Sequence, residues 1–226
     1  MKKRASRLFR SSDFGTPSSL NIRHSSFRAE GAFTIIELLV VIAIIVILAS
    51  LILSTVSYVQ KKGARSRAEA EIAAMSAALE SYKADNGIYP QNSDTNALYP
   101  TTDLNPNATP IPNKYTKASL YLYEQLSGDT NATRQPPANA KSYFVFKPNM
   151  LLPPPPSTAT VIAIRDPFGN SYGYSTAANP QANPTPASSP VGYNPTYDLW
   201  STAAYVASTS SPTPSPAPQN FWIKNW

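Results

Sequence analysis

The sequence predicts an α+β fold in which a long N-terminal α-helix, transmembrane in its first half, packs on a small antiparallel β-sheet with proline-rich loops. Three observations predict it. Leu38 to Val59 (LLVVIAIIVILASLILSTVSYV) runs 22 residues without a charge. At 1.5 Å per residue this makes about 33 Å of helix, enough for a hydrocarbon core of about 30 Å. Beyond it Ala68, Ile72, Met75, Leu79 and Tyr82 recur at spacings of 4, 3, 4 and 3, a single helical stripe. Finally, all but one of the 23 prolines lie beyond residue 86, where they break the chain into short pieces suited to brief strands and at most a short helix.

Residues 1–32 come first, and they hold most of the charge. The chain of 226 residues carries a formal net charge of +6, of which +5 lies in residues 1–32 and +1 in the other 194. A nucleic-acid binder needs a basic face on its folded part, so that class is excluded. Seven basic residues precede the apolar run, and four (Lys61, Lys62, Arg65, Arg67) follow closely. The more basic flank stays in the cytoplasm, which places the N-terminus inside and everything beyond about residue 60 outside. A cleavable secretory signal has an apolar region of about 7–15 residues, shorter than this one, so the span is expected to be retained. Glu37 stands at the edge of the run. A carboxylate there costs free energy and marks a functional position rather than a generic anchor.

The helix continues over residues 60–86. Arg65/Glu69 and Arg67/Glu71 are opposite charges at i,i+4 on the solvent side, each contributing a few tenths of a kcal/mol. Gly63 weakens the helix by about 1 kcal/mol relative to Ala and permits bending there. Asn86-Gly87 stops the helix, with Pro90 just beyond. A helix from about Phe33 to Asp85 is roughly 80 Å long, and its upper half needs lipid or neighbouring copies.

Residues 87–226 form the remaining globular part. Ser142–Lys147 (SYFVFK), Thr160–Arg165, Tyr172–Ser175 and Tyr197–Ser201 read as strands, with a short closing piece at Phe221–Lys224. Lys117–Leu126 reads as a short helix. Residues 99–113, 134–140, 148–157, 179–190 and 208–219 read as proline-rich loops. The Asp166-Pro167-Phe168-Gly169-Asn170 segment reads as a turn: Asp accepts local backbone hydrogen bonds, Pro presets φ, and Gly tolerates positive φ.

Composition removes most enzyme classes. The chain has no Cys, and its one His, His24, lies in the basic N-terminal stretch. Thiolate nucleophiles, disulfides and Cys-ligated metals are excluded, and a mature chain without that stretch has no imidazole for a triad or a His metal site. The carboxylates are scattered and unpaired, so no acid–base site is expected.

The stretch Gly31-Ala32-Phe33-Thr34-Ile35-Ile36-Glu37-Leu38-Leu39-Val40-Val41-Ile42-Ala43-Ile44-Ile45 resembles the prepilin signal of type IV pilins and type II secretion pseudopilins. Four further segments are similar to the major pseudopilin of type II secretion, in the family's order. Ala78 to Pro90 (ALESYKADNGIYP) resembles its helix end and exit turn. Arg165 to Tyr172 (RDPFGNSY) resembles its DPWGNxY turn. Tyr197-Asp198-Leu199-Trp200-Ser201 and Ile223-Lys224-Asn225-Trp226 resemble its closing YDLxS and IxNW segments. Together with the N-terminal stretch they cover about a fifth of the chain.

The resemblance implies a pilin-like fold and a processed, assembling subunit. A prepilin peptidase would remove the leader, residues 1–32, leaving an assembly helix that starts at Phe33. Counting back from Glu37, fifth in the mature family chain, puts the cut between Ala32 and Phe33; a cut after Gly31 would make it sixth. Phe33 would be N-methylated, and Thr34 and Glu37 would take part in assembly. The partners implied are copies of itself in a fibre, minor pseudopilins, and an inner-membrane assembly platform driven by a cytoplasmic ATPase. The location implied is the bacterial inner membrane, with the globular part periplasmic. No cofactor is expected. The family's acidic calcium loop lies between YDLxS and IxNW, where residues 202–222 here contain no Asp or Glu and leave Asp198 a weak candidate ligand. Ser54 stands where many members carry a helix-kinking proline. Other readings are a type IV pilin of a surface pilus for adhesion, motility or DNA uptake, and a monomeric membrane-anchored binding module.

Overall fold

The computed structural model describes residues 33–184, 191–203 and 218–226. Residues 1–32, read above as a leader, half of the 179–190 loop and most of the 208–219 loop lie outside the described residues. Helix α1 spans Ile35–Asn86, α2 Ser93–Ala97 and α3 Lys114–Ser127. Five short strands follow: β1 Leu151–Leu152, β2 Ala163–Ile164, β3 Gly173–Ser175, β4 Asp198–Ser201 and β5 Ile223–Lys224. The contacts divide the chain into two units, one ending at Ser50 and one running from Leu51 to Trp226.

In the first unit the described residues are the start of α1, whose large apolar side chains from Ile35 to Leu48 are all exposed. α1 is the one described helix long and apolar enough to cross a membrane. It runs unbroken through Ser54, where the resemblance places a proline.

In the second unit the predicted stripe is a core stripe. Ala68, Ile72, Met75 and Leu79 are buried in one cluster with Leu122, Tyr123 and Leu126 of α3 and with Tyr172, Tyr174 and Leu199, and Tyr82 packs at its edge. Arg65 and Glu69 pair at 3.2 Å as predicted. Arg67 and Glu71 do not form the expected bridge. The Tyr172 hydroxyl donates to Glu71 Oε2 at 2.7 Å instead, and burial raises the Glu71 pKa. A Cβ at Gly63 meets no atom within 4 Å. Gly63→Ala is therefore expected to raise the unfolding free energy by about 0.5–1 kcal/mol. Denaturant titration of the detergent-solubilised protein checks this, and an unchanged midpoint would count against it. α1 ends at Asn86, at the end of the 60–86 continuation, with Gly87 at φ +79° donating its N–H to Lys83 O at 2.7 Å.

Two small antiparallel sheets replace the single one predicted. β1 pairs with β2, and the other has the order β3-β4-β5, with Gly173 opposite Trp200 and Tyr174 opposite Leu199. Successive side chains of a strand point to opposite faces. Leu199 accordingly enters the cluster with the α1 stripe, while Trp200 enters a second cluster with Leu98, Tyr115, Ala118 and Trp222. All four β4 residues are buried, so this strand is covered on both faces.

Several local expectations are corrected. Ser142–Lys147 is not a strand: Tyr143 and Phe144 both donate their N–H to Leu126 O, at 2.8 and 3.0 Å. Phe146 packs on Tyr123 at 5.2 Å between ring centroids. The alternation there seats rings against α3 without any strand partner. The 148–157 loop contains a 3-10 turn at Pro148–Met150 and strand β1. α3 starts at Lys114 rather than Lys117, because the Asn113 side chain caps it by accepting from Thr116 N at 2.9 Å. α2 was not predicted. Its signal is Asn92 with Thr95, a reciprocal capping pair.

Candidate functional site

At the head of α1, Thr34 and Glu37 form a capping box that the sequence reading did not identify. Thr34 N donates to Glu37 Oε2 at 2.8 Å, the Thr34 hydroxyl donates to the same oxygen at 2.9 Å, and Glu37 N donates to Thr34 Oγ1 at 3.3 Å. The Thr-x-x-Glu spacing just before an apolar run is the sequence signal for it. The box satisfies backbone donors that a helix start leaves unpaired, and it holds the carboxylate beside Phe33. Phe33 is exposed. Gly31 and Ala32 lie outside the described residues.

The Asp166–Asn170 segment is a closed turn, as predicted. Asp166 N donates to Asn170 O at 2.8 Å, and Gly169 N donates to Asp166 O at 3.0 Å. Asp166 Oδ1 accepts from Phe168 N at 3.0 Å and from Asn170 N at 2.8 Å. Gly169 has φ +99°, a conformation that only glycine adopts without strain. Pro167 and Phe168 are partly exposed at the tip.

The sequence motifs that lie far apart in the chain meet here. The Ser201 hydroxyl donates to Asp166 Oδ2 at 2.5 Å, and Asn170 Nδ2 donates to Ala203 O at 2.8 Å. The turn is thus latched to the end of β4. From the C-terminal segment, Asn225 Oδ1 accepts from Leu199 N at 2.8 Å, and Asn225 N donates to Leu199 O at 3.1 Å. The roles of Ser201 and Asn225 were not legible, because their partners lie 35 and 26 residues away.

Burial pushes the Asp166 carboxyl up to about 6, with its four hydrogen bonds opposing that rise only in part. Burial also raises Asp198, whose oxygens accept from Tyr193 N and Asn194 N at 2.9 Å each. Asp198 therefore anchors the turn entering β4. Among the described residues no three His, Cys, Asp or Glu side chains gather where they could hold a metal ion.

Three curated proteins, each named Type II secretion system core protein G, are similar to this chain. The one from Pectobacterium carotovorum subsp. carotovorum is 39% identical over 66 residues, 29% of this chain and 42% of that protein. The one from Aeromonas hydrophila is 36% identical over 89 residues, 39% of this chain and 59% of that protein. The one from Vibrio cholerae serotype O1 is 33% identical over 79 residues, 35% of this chain and 54% of that protein. The chain thus spans about half the length of the curated relatives it matches. No protein-family model matches the chain, and no solved structure is significantly similar to it. With its long N-terminal helix, its small antiparallel sheets and these relatives, the chain is similar to the major pseudopilins of type II secretion and has the pilin-like α+β fold that the similarity implies.

Proposed function

We propose that the chain is a structural subunit of a type II secretion pseudopilus, anchored in the inner membrane by residues 38–59 before assembly, with its globular part in the periplasm. A prepilin peptidase cuts between Ala32 and Phe33, Phe33 is N-methylated, and the mature chain polymerises through the first half of α1. Minor pseudopilins, the inner-membrane platform and its cytoplasmic ATPase are the assembly partners. The role is structural rather than catalytic and uses no cofactor, and Asp198 acts as a turn anchor rather than a calcium ligand.

The observation that carries this reading is the head of α1: a Thr34–Glu37 box beside Phe33 on a helix whose large apolar side chains stay exposed as far as Val59. Such a surface needs lipid or neighbouring helices. Cleavage would leave a positive α-amine on Phe33 in an apolar layer, where an unpaired charge is expensive. Glu37 of a neighbouring subunit neutralises that amine and sets the register between subunits.

The test separates this charge pairing from the capping. Glutamine also fits the third helical position of a capping box, so Glu37→Gln keeps the cap and removes the charge. Glu37→Gln and Glu37→Ala are both expected to insert and to be cut to a chain beginning at Phe33. Fibre yield, scored by shearing and sedimentation, should fall roughly tenfold or more in each, because a charge-assisted bond is lost. Normal fibres from Glu37→Gln would falsify the pairing.

A further inference from the structure

A cavity of about 610 Å³ opens beside α1 in the second unit. Tyr58, Lys61, Lys62 and Arg65 of α1 line one side of it, and Phe168 at the tip of the Asp166–Asn170 turn, with Phe221, lines the other. Its floor is apolar and its rim is cationic. Arg65 is already engaged, with Nε 3.2 Å from Glu69 Oε1 and Nη1 donating to Phe221 O at 3.2 Å. That contact holds Phe221 at the cavity while leaving the residue 46% exposed. Lys61 and Lys62 are exposed and form no ion pair among the described residues.

Position along α1 selects the occupant. The charge-free run ends at Val59, and Leu51, Ile52, Leu53, Tyr58 and Val59 are all exposed on the helix. The hydrocarbon boundary therefore falls at the turn that carries Tyr58, with Lys61 and Lys62 one turn beyond, at headgroup level. Aromatic rings with a polar tip and long cationic side chains are the groups that suit that layer.

We propose that this cavity docks an anionic phospholipid of the bilayer surface, with its phosphate between Lys61 and Lys62 and the start of its acyl chains against Phe168 and Phe221. The Asp166–Asn170 turn then has a task beyond closing a loop, since it aims Phe168 at the membrane. The proposal rests on the membrane-anchored reading above.

The test uses the full chain extracted in mild detergent and offered equal amounts of phosphatidylglycerol and phosphatidylcholine, with retained lipid read by native mass spectrometry. A lysine near an anionic surface contributes roughly a fivefold preference, so the pair should favour phosphatidylglycerol by roughly 30-fold. Lys61→Gln/Lys62→Gln should bring that ratio close to one. Phe221→Ser, with its charges unchanged, should retain less phosphatidylglycerol, and inorganic phosphate should not displace the lipid. Equal retention of the two lipids, an unaltered preference in the lysine variant, full retention in Phe221→Ser, or displacement by phosphate would each overturn the proposal. Carbonate-resistant sedimentation with membranes reads the anchoring separately. Resistance without a lipid preference defeats this proposal alone, whereas loss of resistance defeats the anchoring.

Discussion

Gly173→Ala is expected to destabilise the globular part by about 3 kcal/mol or more, a large effect for adding one methyl group. Gly173 lies on β3 directly opposite Trp200 of β4. A Cβ built there overlaps Cε2 and Cζ2 of the Trp200 indole, far inside van der Waals contact. The ring has no room to retreat. It stacks on Trp222 at 5.6 Å and 10°, and meets Tyr115 edge-on at 5.7 Å. Its Nε1 donates to the Tyr115 hydroxyl at 3.3 Å, and that hydroxyl donates in turn to Asp103 O at 2.6 Å. Denaturant unfolding followed by tryptophan fluorescence measures the loss. Because the clash is with one ring, Trp200→Phe in the same chain should recover part of the loss, so the two substitutions should not be additive. A Gly173→Ala midpoint close to the parent's, or strict additivity with Trp200→Phe, would show that the sheet accommodates the methyl elsewhere.

The second large effect is a pH dependence from Asp166. Its carboxyl titrates at about 6 in the folded chain against 3.8 for an unperturbed aspartate. Between these values the folded state binds more protons than the unfolded state, so stability falls as pH rises. The contribution is fully present below about pH 4 and is lost by about pH 7, a change of about 3 kcal/mol. Glu71, Glu124 and Asp198 are also raised by burial and act in the same direction. Asp85, held down chiefly by its hydrogen bond from Lys141, acts in the opposite one. The effect of Asp166 is therefore isolated as the difference from Asp166→Asn, which keeps an oxygen for the Phe168 and Asn170 N–H groups but does not ionise. The parent is expected to lose about 2 kcal/mol relative to Asp166→Asn between pH 4 and pH 7. Parallel stability curves for the two proteins would remove Asp166 as the cause.

Features carried by local chemistry were legible in the sequence. The apolar span, the stripe from Ala68 to Tyr82, the Asn86-Gly87 stop and the Asp166–Asn170 turn each depend on side chains within a few residues of one another. The Thr34–Glu37 box is just as local, but its Thr-x-x-Glu spacing was overlooked in the sequence. Other features depended on partners that local pattern does not name. SYFVFK has the alternation of a strand, but strands need an edge to pair with, and these residues lie against α3. Glu71 has Arg67 one helical turn away, yet it takes the hydroxyl of Tyr172, 101 residues distant.

The sequence by itself determined a helix long and apolar enough to span a membrane, with a carboxylate at its head, the extension of that helix into a core, and four motifs in a family's order. These follow from hydrophobic period and backbone preference, which act over one or two turns of chain. The tertiary structure decided that Gly173 is needed for space, that Asp166 holds a buried charge latched to Ser201, and that Phe168 and Phe221 meet Lys61 and Lys62 around one cavity. Steric exclusion, desolvation and cavity shape depend on which distant segments come into contact, and only the folded chain brings them there.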